Sequence, residues 1–149
     1  VLTPDGDIAI TECTPFLRDH DAQGVLSLVE NDIFKLMQAC VIGSFSDDYD
    51  MLDFKDEFAV SCVLSSGQVK NEVIQGLDEL QDDTLLAHLN TKQNEYTEYE
   101  TLGDRVLVVT TTAKTMSRAA TNLYNEIEAI EFRGKHFRKD LCKIPSHIQ

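Results

Sequence analysis

The sequence predicts an α+β fold, and three observations carry that reading. VLTPDGDIAITE, residues 1–12, is two extended runs, Val1 to Thr3 and Asp7 to Glu12, around a Pro-Asp-Gly turn, which is a hairpin signal. NDIFKLMQACVIG reads as a helix. At Lys114 the hydrophobic period changes from about 2 in RVLVVTTT to about 3.6 in TMSRAATNLYNEIEAIEF. The expected order is therefore a hairpin plus helix, then a β-rich segment with one long helix.

Each element has its own signals. In the first helix Asn31 is the candidate N-cap and Gly43 the candidate C′ residue. Ile33, Leu36, Met37, Cys40 and Val41 form one apolar stripe at helical spacing. SFSDDYDMLDFKDE follows, with six acidic residues in fourteen, and reads as a solvated connection. A domain boundary near Asp47 to Asp56 divides the chain into 1–46 and 57–149. Phe58 to Ser65 is rich in strand formers and is closed by Gly67. Glu72 to Leu77 is a short strand candidate, and Glu95 to Thr101 alternates as an exposed edge strand would. Arg105 to Thr112 is the strongest strand, so residues 58–112 are expected to be mainly strands. The long helix runs from Thr115, its cap, to Ile130 and buries Met116, Ala119, Ala120, Leu123, Ile127 and Ile130.

Composition narrows the function. The chain has 149 residues, about one domain by length, and 42% apolar residues, enough for a real core. Its net charge of −13, from 13 basic and 26 acidic residues, excludes a typical nucleic-acid binder and an anionic membrane surface as a partner. No apolar run approaches the ~18 residues of a membrane span. Cys13, Cys40, Cys62 and Cys142 form no CxxC pair and read as reduced core thiols of a cytoplasmic protein. A hairpin that opens at residue 1 reads as the middle of a larger protein, so the chain is expected to be a C-terminal fragment.

The segment TECTPFLRDHDAQ concentrates the chemistry. Glu12 and Thr14 lie two apart, so on a strand both side chains point to one face and offer two oxygens to a Mg²⁺. A worn copy of such a site and an ordinary strand end have the same spacing. Asp19 and Asp21 steady a metal or cap the helical turn that follows. His20 reads as an exposed turn residue. His88, His136 and His147 lie far apart and no serine sits in a nucleophile motif, so hydrolase chemistry has no support. Arg105 reaches toward substrate or pairs with surrounding carboxylates. Arg133, Lys135, Arg138 and Lys139 contact a nucleotide-binding domain or phosphate, or form a basic tail lying against an acidic body.

Several segments together resemble phosphoribosylamine–glycine ligase, also called glycinamide ribonucleotide synthetase, of the ATP-grasp superfamily. They are the hairpin leading into Glu12, DHDAQGVL against the family's DPETQxVL, and FAVSCVLSSG against xAVxVVxASxGYP. The most specific is GDRVLVVTTTAKTMSRAATNLYNEIEAIEFRGKHFRKDL against GGRVLxVTxxGxTLxEAxxxAYxxVxxIxFxGxxYRxDI. The resemblance implies that residues 1–46 end an ATP-grasp domain and residues 57–149 form the family's β-rich C-terminal domain. It implies ATP-dependent joining of glycine to 5-phosphoribosylamine through a glycyl-phosphate, in purine synthesis. ATP is then a substrate and Mg²⁺ (or Mn²⁺) a cofactor. ATP, glycine and 5-phosphoribosylamine would be bound largely by N-terminal domains outside this chain, with no nucleic acid or membrane partner.

Against the family's EFNxRFGDPE, Glu12 matches the metal-binding glutamate and Thr14 the metal-binding asparagine. Asp19 and Asp21 match the aspartate and glutamate of the substrate-side GDPE, and Arg18 and Arg105 are the basic groups assigned to substrate. The departures are Phe16 for arginine, Arg18 for glycine, His20 for proline, and Gln-Val-Lys after SSG where the family has Gly-Tyr-Pro. They leave three readings. The first is a portion of an active ligase. The second is a divergent ATP-grasp-fold protein that binds nucleotide or a partner with little ligase activity. The third is the C-terminal half of another ATP-grasp ligase, such as a biotin-carboxylase-like enzyme. The fragment alone is expected to be inactive, because it lacks the segments that would hold adenine and most of the phosphates.

Overall fold

The structure is a computed structural model, and it describes residues 6, 8, 10, 16–43 and 52–143. The hairpin expected over residues 1–12 lies largely outside the described residues. The observed order is α1 (Asp19–Leu28), α2 (Ile33–Ile42), β1 (Phe58–Ser65), a 3₁₀ turn (Leu77–Glu79), β2 (Leu85–His88), β3 (Thr91–Gln93), β4 (Tyr99–Thr101), β5 (Arg105–Ala113) and α3 (Met116–Ala129). This is the expected α+β class, and no helix among the described residues is long and apolar enough to cross a membrane.

The central sheet is antiparallel in the order β1-β5-β2. Its middle strand explains the run RVLVVTTT. Val106 to Thr111 are all buried, because one helix covers each face. On one side Leu107 and Val109 lie opposite Leu64 and Cys62 of β1. These four join Ala119, Leu123 and Ile127 of α3, and Ile130 at its C-cap, in the hydrophobic core. The Thr111 hydroxyl donates to the carbonyl of Ala119 at 2.8 Å, which fixes α3 on that face. On the other side Ser61 and Thr110 are cross-strand partners with hydroxyls 2.7 Å apart. Gly24 of α1 sits over them, and a Cβ built on it would lie 3.3 Å from the Ser61 Oγ.

α3 forms where its period and cap predict it. Thr115 accepts from the N–H of Arg118 at 3.2 Å, and Ala119, Ala120, Leu123 and Ile127 are buried. Met116 departs from the predicted buried face: in the first turn it is 43% exposed. At the other end Lys135 donates to the carbonyls of Ile127 and Ile130 and to the Glu131 carboxylate. A cation there satisfies orphan carbonyls and complements the helix dipole. The basic tail is largely consumed by such local contacts. Arg133 pairs with Glu72 at 2.7 Å, Arg138 with Asp140 at 2.6 Å, and Lys139 lies 5.7 Å from the Phe137 ring.

Five other expectations need correction. Glu72 to Leu77 is not a strand. Single bridges pin it, Val73 to Glu100 and Gln75 to Glu131, and Gly76 then turns it into the 3₁₀ segment. Only Tyr99–Thr101 of the segment Glu95 to Thr101 pairs in a sheet, with β3. The Asn94 side chain accepts from the N–H groups of Tyr96 and Glu98 and makes a turn of the rest. Strands therefore cover about half of residues 58–112, since β2 and β3 are short and turns take the remainder. The α2 cap is Asp32, which accepts from Phe34 and Lys35. Asn31 instead accepts from the N–H of Asp53 at 2.6 Å, tying the acidic connection to the end of α1. Finally, Cys40 and Cys142 are exposed and free, so among the described cysteines only Cys62 is a core thiol. Burial pushes the Cys62 thiol pKa up and keeps it protonated.

Gly43 is the predicted left-handed end of α2, with φ 71°. The α2 stripe, however, stays largely uncovered by described residues: Met37 is 60% and Val41 87% exposed. The sheet's two faces are already taken by α1 and α3, which leaves α2 no sheet to pack on.

Candidate functional site

The residues singled out from the sequence fall into separate places. Glu12 and Thr14 lie outside the described residues. Arg18 is the extended residue before α1, with φ −71° and ψ 155°. Its carbonyl accepts from the N–H groups of Asp21 and Ala22, and its side chain is exposed. Asp19 opens α1, but its side chain and that of His20 are not among those described. Asp21 is exposed in the first turn. It lines a groove of about 520 Å³ with Gly24, Val25, Leu28, Ala59 and Ser61. Phe16, which stands where the family pattern has arginine, is 66% exposed. Gln23, which sequence reasoning did not single out, holds its Oε1 buried with no hydrogen-bond donor among the described residues. Nothing in the sequence marked it, because a buried acceptor depends on how α1 docks.

Arg105 is not part of this groove. It opens β5 opposite Ser65, whereas Thr110, under Gly24, is five residues on. At ~3.3 Å per residue that is about 16 Å along the strand. Arg105 belongs instead to a seam where three loops meet. The N–H of Ser66 donates to the Asp104 carbonyl at 2.8 Å, and its hydroxyl donates toward the carbonyls of Val69 and Gly103, each at 2.8 Å. Ser65 and His136 exchange backbone hydrogen bonds at 2.9 Å. Gly134 presses so close that a Cβ on it would lie 2.6 Å from the Ser66 carbonyl oxygen.

The SSGQV turn at this seam holds a backbone that glutamine does not favour. Gly67 and Gln68 have φ 60° and 88°, and Val69 donates back to Ser66 at 3.1 Å. Two positive φ values define a type I′ turn. Gln68 stands where the family pattern has glycine, so a side chain now occupies a conformation that glycine adopts without strain. Gln68→Gly is expected to raise the stability of the chain by about 1 kcal/mol. A urea titration checks this, and an unchanged or lower midpoint would show that the turn relaxes around Gln68.

The fold at this point has a counterpart. A solved phosphoribosylamine–glycine ligase from Thermotoga maritima superposes with a TM-score of 0.74, at 23% identity, over 91% of this chain and 34% of that chain. The architecture is thus one found within a solved ligase. The sequence profile of the phosphoribosylglycinamide synthetase C domain matches residues 65–143, and the chain belongs to that family. Phosphoribosylamine–glycine ligase of Halalkalibacterium halodurans is 30% identical over 95% of this chain. The bifunctional purine biosynthetic protein purD of Dictyostelium discoideum is 31% identical over 99% of it. The chain spans 33% and 19% of the lengths of these two relatives.

Proposed function

We propose that this chain is the C-terminal portion of a phosphoribosylamine–glycine ligase that couples ATP cleavage to amide formation between glycine and 5-phosphoribosylamine, in the cytoplasm. The carrying observation is the family match over residues 65–143, together with relatives of that name aligned over 95% of the chain. In this reading residues 1–46 close the ATP-grasp domain and residues 57–149 form the C-terminal domain. The amine attacks an acyl-phosphate, so the protein's tasks are positioning and charge neutralisation. Arg18, Asp19, Asp21 and Arg105 are the candidate substrate contacts on this chain. No group of three carboxylate, histidine or cysteine side chains able to hold a metal exists among the described residues. Glu12 and Thr14 are assigned to the ion by resemblance alone, and no step is derived through it.

The test uses the full-length protein. ADP release that depends on both glycine and 5-phosphoribosylamine is expected, and its absence rejects the ligase reading. Glu12→Gln is expected to slow that release about 10²-fold or more, the scale of removing one charge-stabilising group from an active site. Full activity in Glu12→Gln would make Glu12 a strand-end residue. The exposed Phe16 at the family's arginine position favours a second reading, a divergent ATP-grasp-fold binder with little ligase activity. A full-length protein that binds MgATP without turnover would establish that alternative.

A further inference from the structure

At the far end of β5 the sheet leaves one strand edge open. The β2 ladder begins at Leu85–Thr110, whereas β5 continues through Thr111 and Thr112 to Ala113 and pairs there with β1 alone. A cavity of about 390 Å³ lies at this edge, between the loop before β2 and the polar side of α3. Asn122, Asn125 and Glu126 line it from positions i, i+3 and i+4 of α3, so they share one face of the helix. Gln81, Asp83 and Thr112 complete the walls. The loop is fixed to the helix: the Gln81 N–H donates to the Glu126 carboxylate at 3.0 Å. The Thr84 N–H donates to the Gln81 carbonyl at 2.9 Å, which closes a turn with Asp83 inside it. One cavity thus gathers two carboxylates, one from the helix and one from the turn bonded to it.

The cavity's polar groups are largely unspent. The side chains of Gln81, Asp83, Thr112, Asn122 and Asn125 form no hydrogen bond with another described residue, although Thr112 and Asn122 are half-buried. Neither Asp83 nor Glu126 has an ion-pair partner among the described residues. We propose that this cavity binds an organic cation with two primary ammonium groups, an aliphatic diamine or one end of a polyamine. No lysine or arginine lines it, so an anion is repelled and a neutral ligand leaves both carboxylates unmatched. An ammonium group is three donors and no acceptor. Its needs match a wall of carboxylates, amide carbonyls and one hydroxyl, and two such groups answer two carboxylates held on separate elements. A bare metal ion fits less well, since no group of three carboxylate, histidine or cysteine side chains able to hold one exists among the described residues. The net charge of −13 concentrates a polycation near the chain. The cavity is separate from the seam at the start of β5. Arg105 and Thr112 are seven residues apart on β5, about 23 Å at ~3.3 Å per residue. The proposal therefore stands independently of the ligase reading.

The test is a titration of the ¹⁵N-labelled 149-residue chain, followed by NMR at physiological ionic strength, where diffuse attraction between exposed charges is screened. 1,4-Diaminobutane, 1-aminobutane and Mg²⁺ form separate arms. Saturable shifts are expected with the diamine at the Asp83, Thr84 and Thr112 amides and the side-chain amides of Asn122 and Asn125. The monoamine should bind about tenfold more weakly, the scale of one charged hydrogen bond, and Mg²⁺ should not reproduce the shifts. Glu126→Gln keeps an acceptor for the Gln81 N–H and is expected to weaken diamine binding about tenfold. Asn125→Asp adds a third carboxylate and is expected to tighten it, an effect that misfolding cannot produce. Equal affinity for diamine and monoamine, the same shifts with Mg²⁺, shifts spread over the other acidic residues of the chain, or unchanged affinity in either variant would overturn the proposal.

Discussion

Gly76→Ala is expected to destabilise the chain by about 2–5 kcal/mol, as the sum of left-handed backbone strain and severe overpacking. Gly76 has φ 78°, and a Cβ built there would stand 1.9 Å from the Ala129 carbonyl oxygen and 2.8 Å from its carbon. Neither atom belongs to a flexible side chain. The carbonyl ends α3, and the neighbouring residues Gln75 and Glu131 exchange hydrogen bonds of 2.9 and 3.1 Å. Relief therefore requires parting α3 from the segment before the 3₁₀ turn. Gly43→Ala separates the two components of the cost. Gly43 has φ 71° but no atom of the described residues within 4 Å of its Cβ position, so only the backbone strain of about 1 kcal/mol is expected. Denaturant titration of both variants should place Gly76→Ala well below Gly43→Ala. Equal midpoints would show that the Ala129 contact is soft.

What was legible in the sequence follows from how local each determinant is. α3 was readable from Thr115 to Ile130 because a threonine cap and a 3.6-residue period lie within the helix itself. β1 and β5 were readable because a buried strand carries its own run of valine and leucine. The segment Glu72 to Leu77 misled because its residues suit a strand, while its partners, Glu100 and Glu131, are far along the chain. The exposed stripe of α2 misled for the converse reason. Its period is genuine, but burial depends on which surfaces remain after α1 and α3 have taken the sheet. The candidate site was legible as chemistry and not as geometry. Arg105 was named from its motif, but that the start of β5 lies beside the SSGQV turn emerges only where Ser66 gathers three loops. Gln68 was not legible either: its φ of 88° is set by the turn that Val69 closes onto Ser66, not by any preference of glutamine.

Leu123→Ala is the second large effect, expected at about 2–5 kcal/mol for truncating a fully buried leucine. Leu123 is fully buried in the core shared by Val60, Cys62 and Leu64 of β1, Leu107 and Val109 of β5, and Ile127 and Ile130. Two features push the cost toward the upper end of that range. The strand side of the cavity is pinned by the β1–β5 ladder, which runs without a break from Phe58–Ala113 to Leu64–Leu107. The helix side is pinned at both ends, by the Thr115 cap and by Lys135 on the last carbonyls. A site held on both sides cannot collapse, so the cavity stays open and its lining loses dispersion contacts. Glu98→Ala, on the exposed β3–β4 turn, is the matched control and should change stability by under ~0.5 kcal/mol. A chain of this length melts roughly 2–4 °C lower for each kcal/mol lost. Leu123→Ala should therefore melt roughly 10 °C below the unmodified chain, with Glu98→Ala within a degree or two of it. Coincident melting curves for the two variants would remove Leu123 from the core and α3 from its place on the sheet.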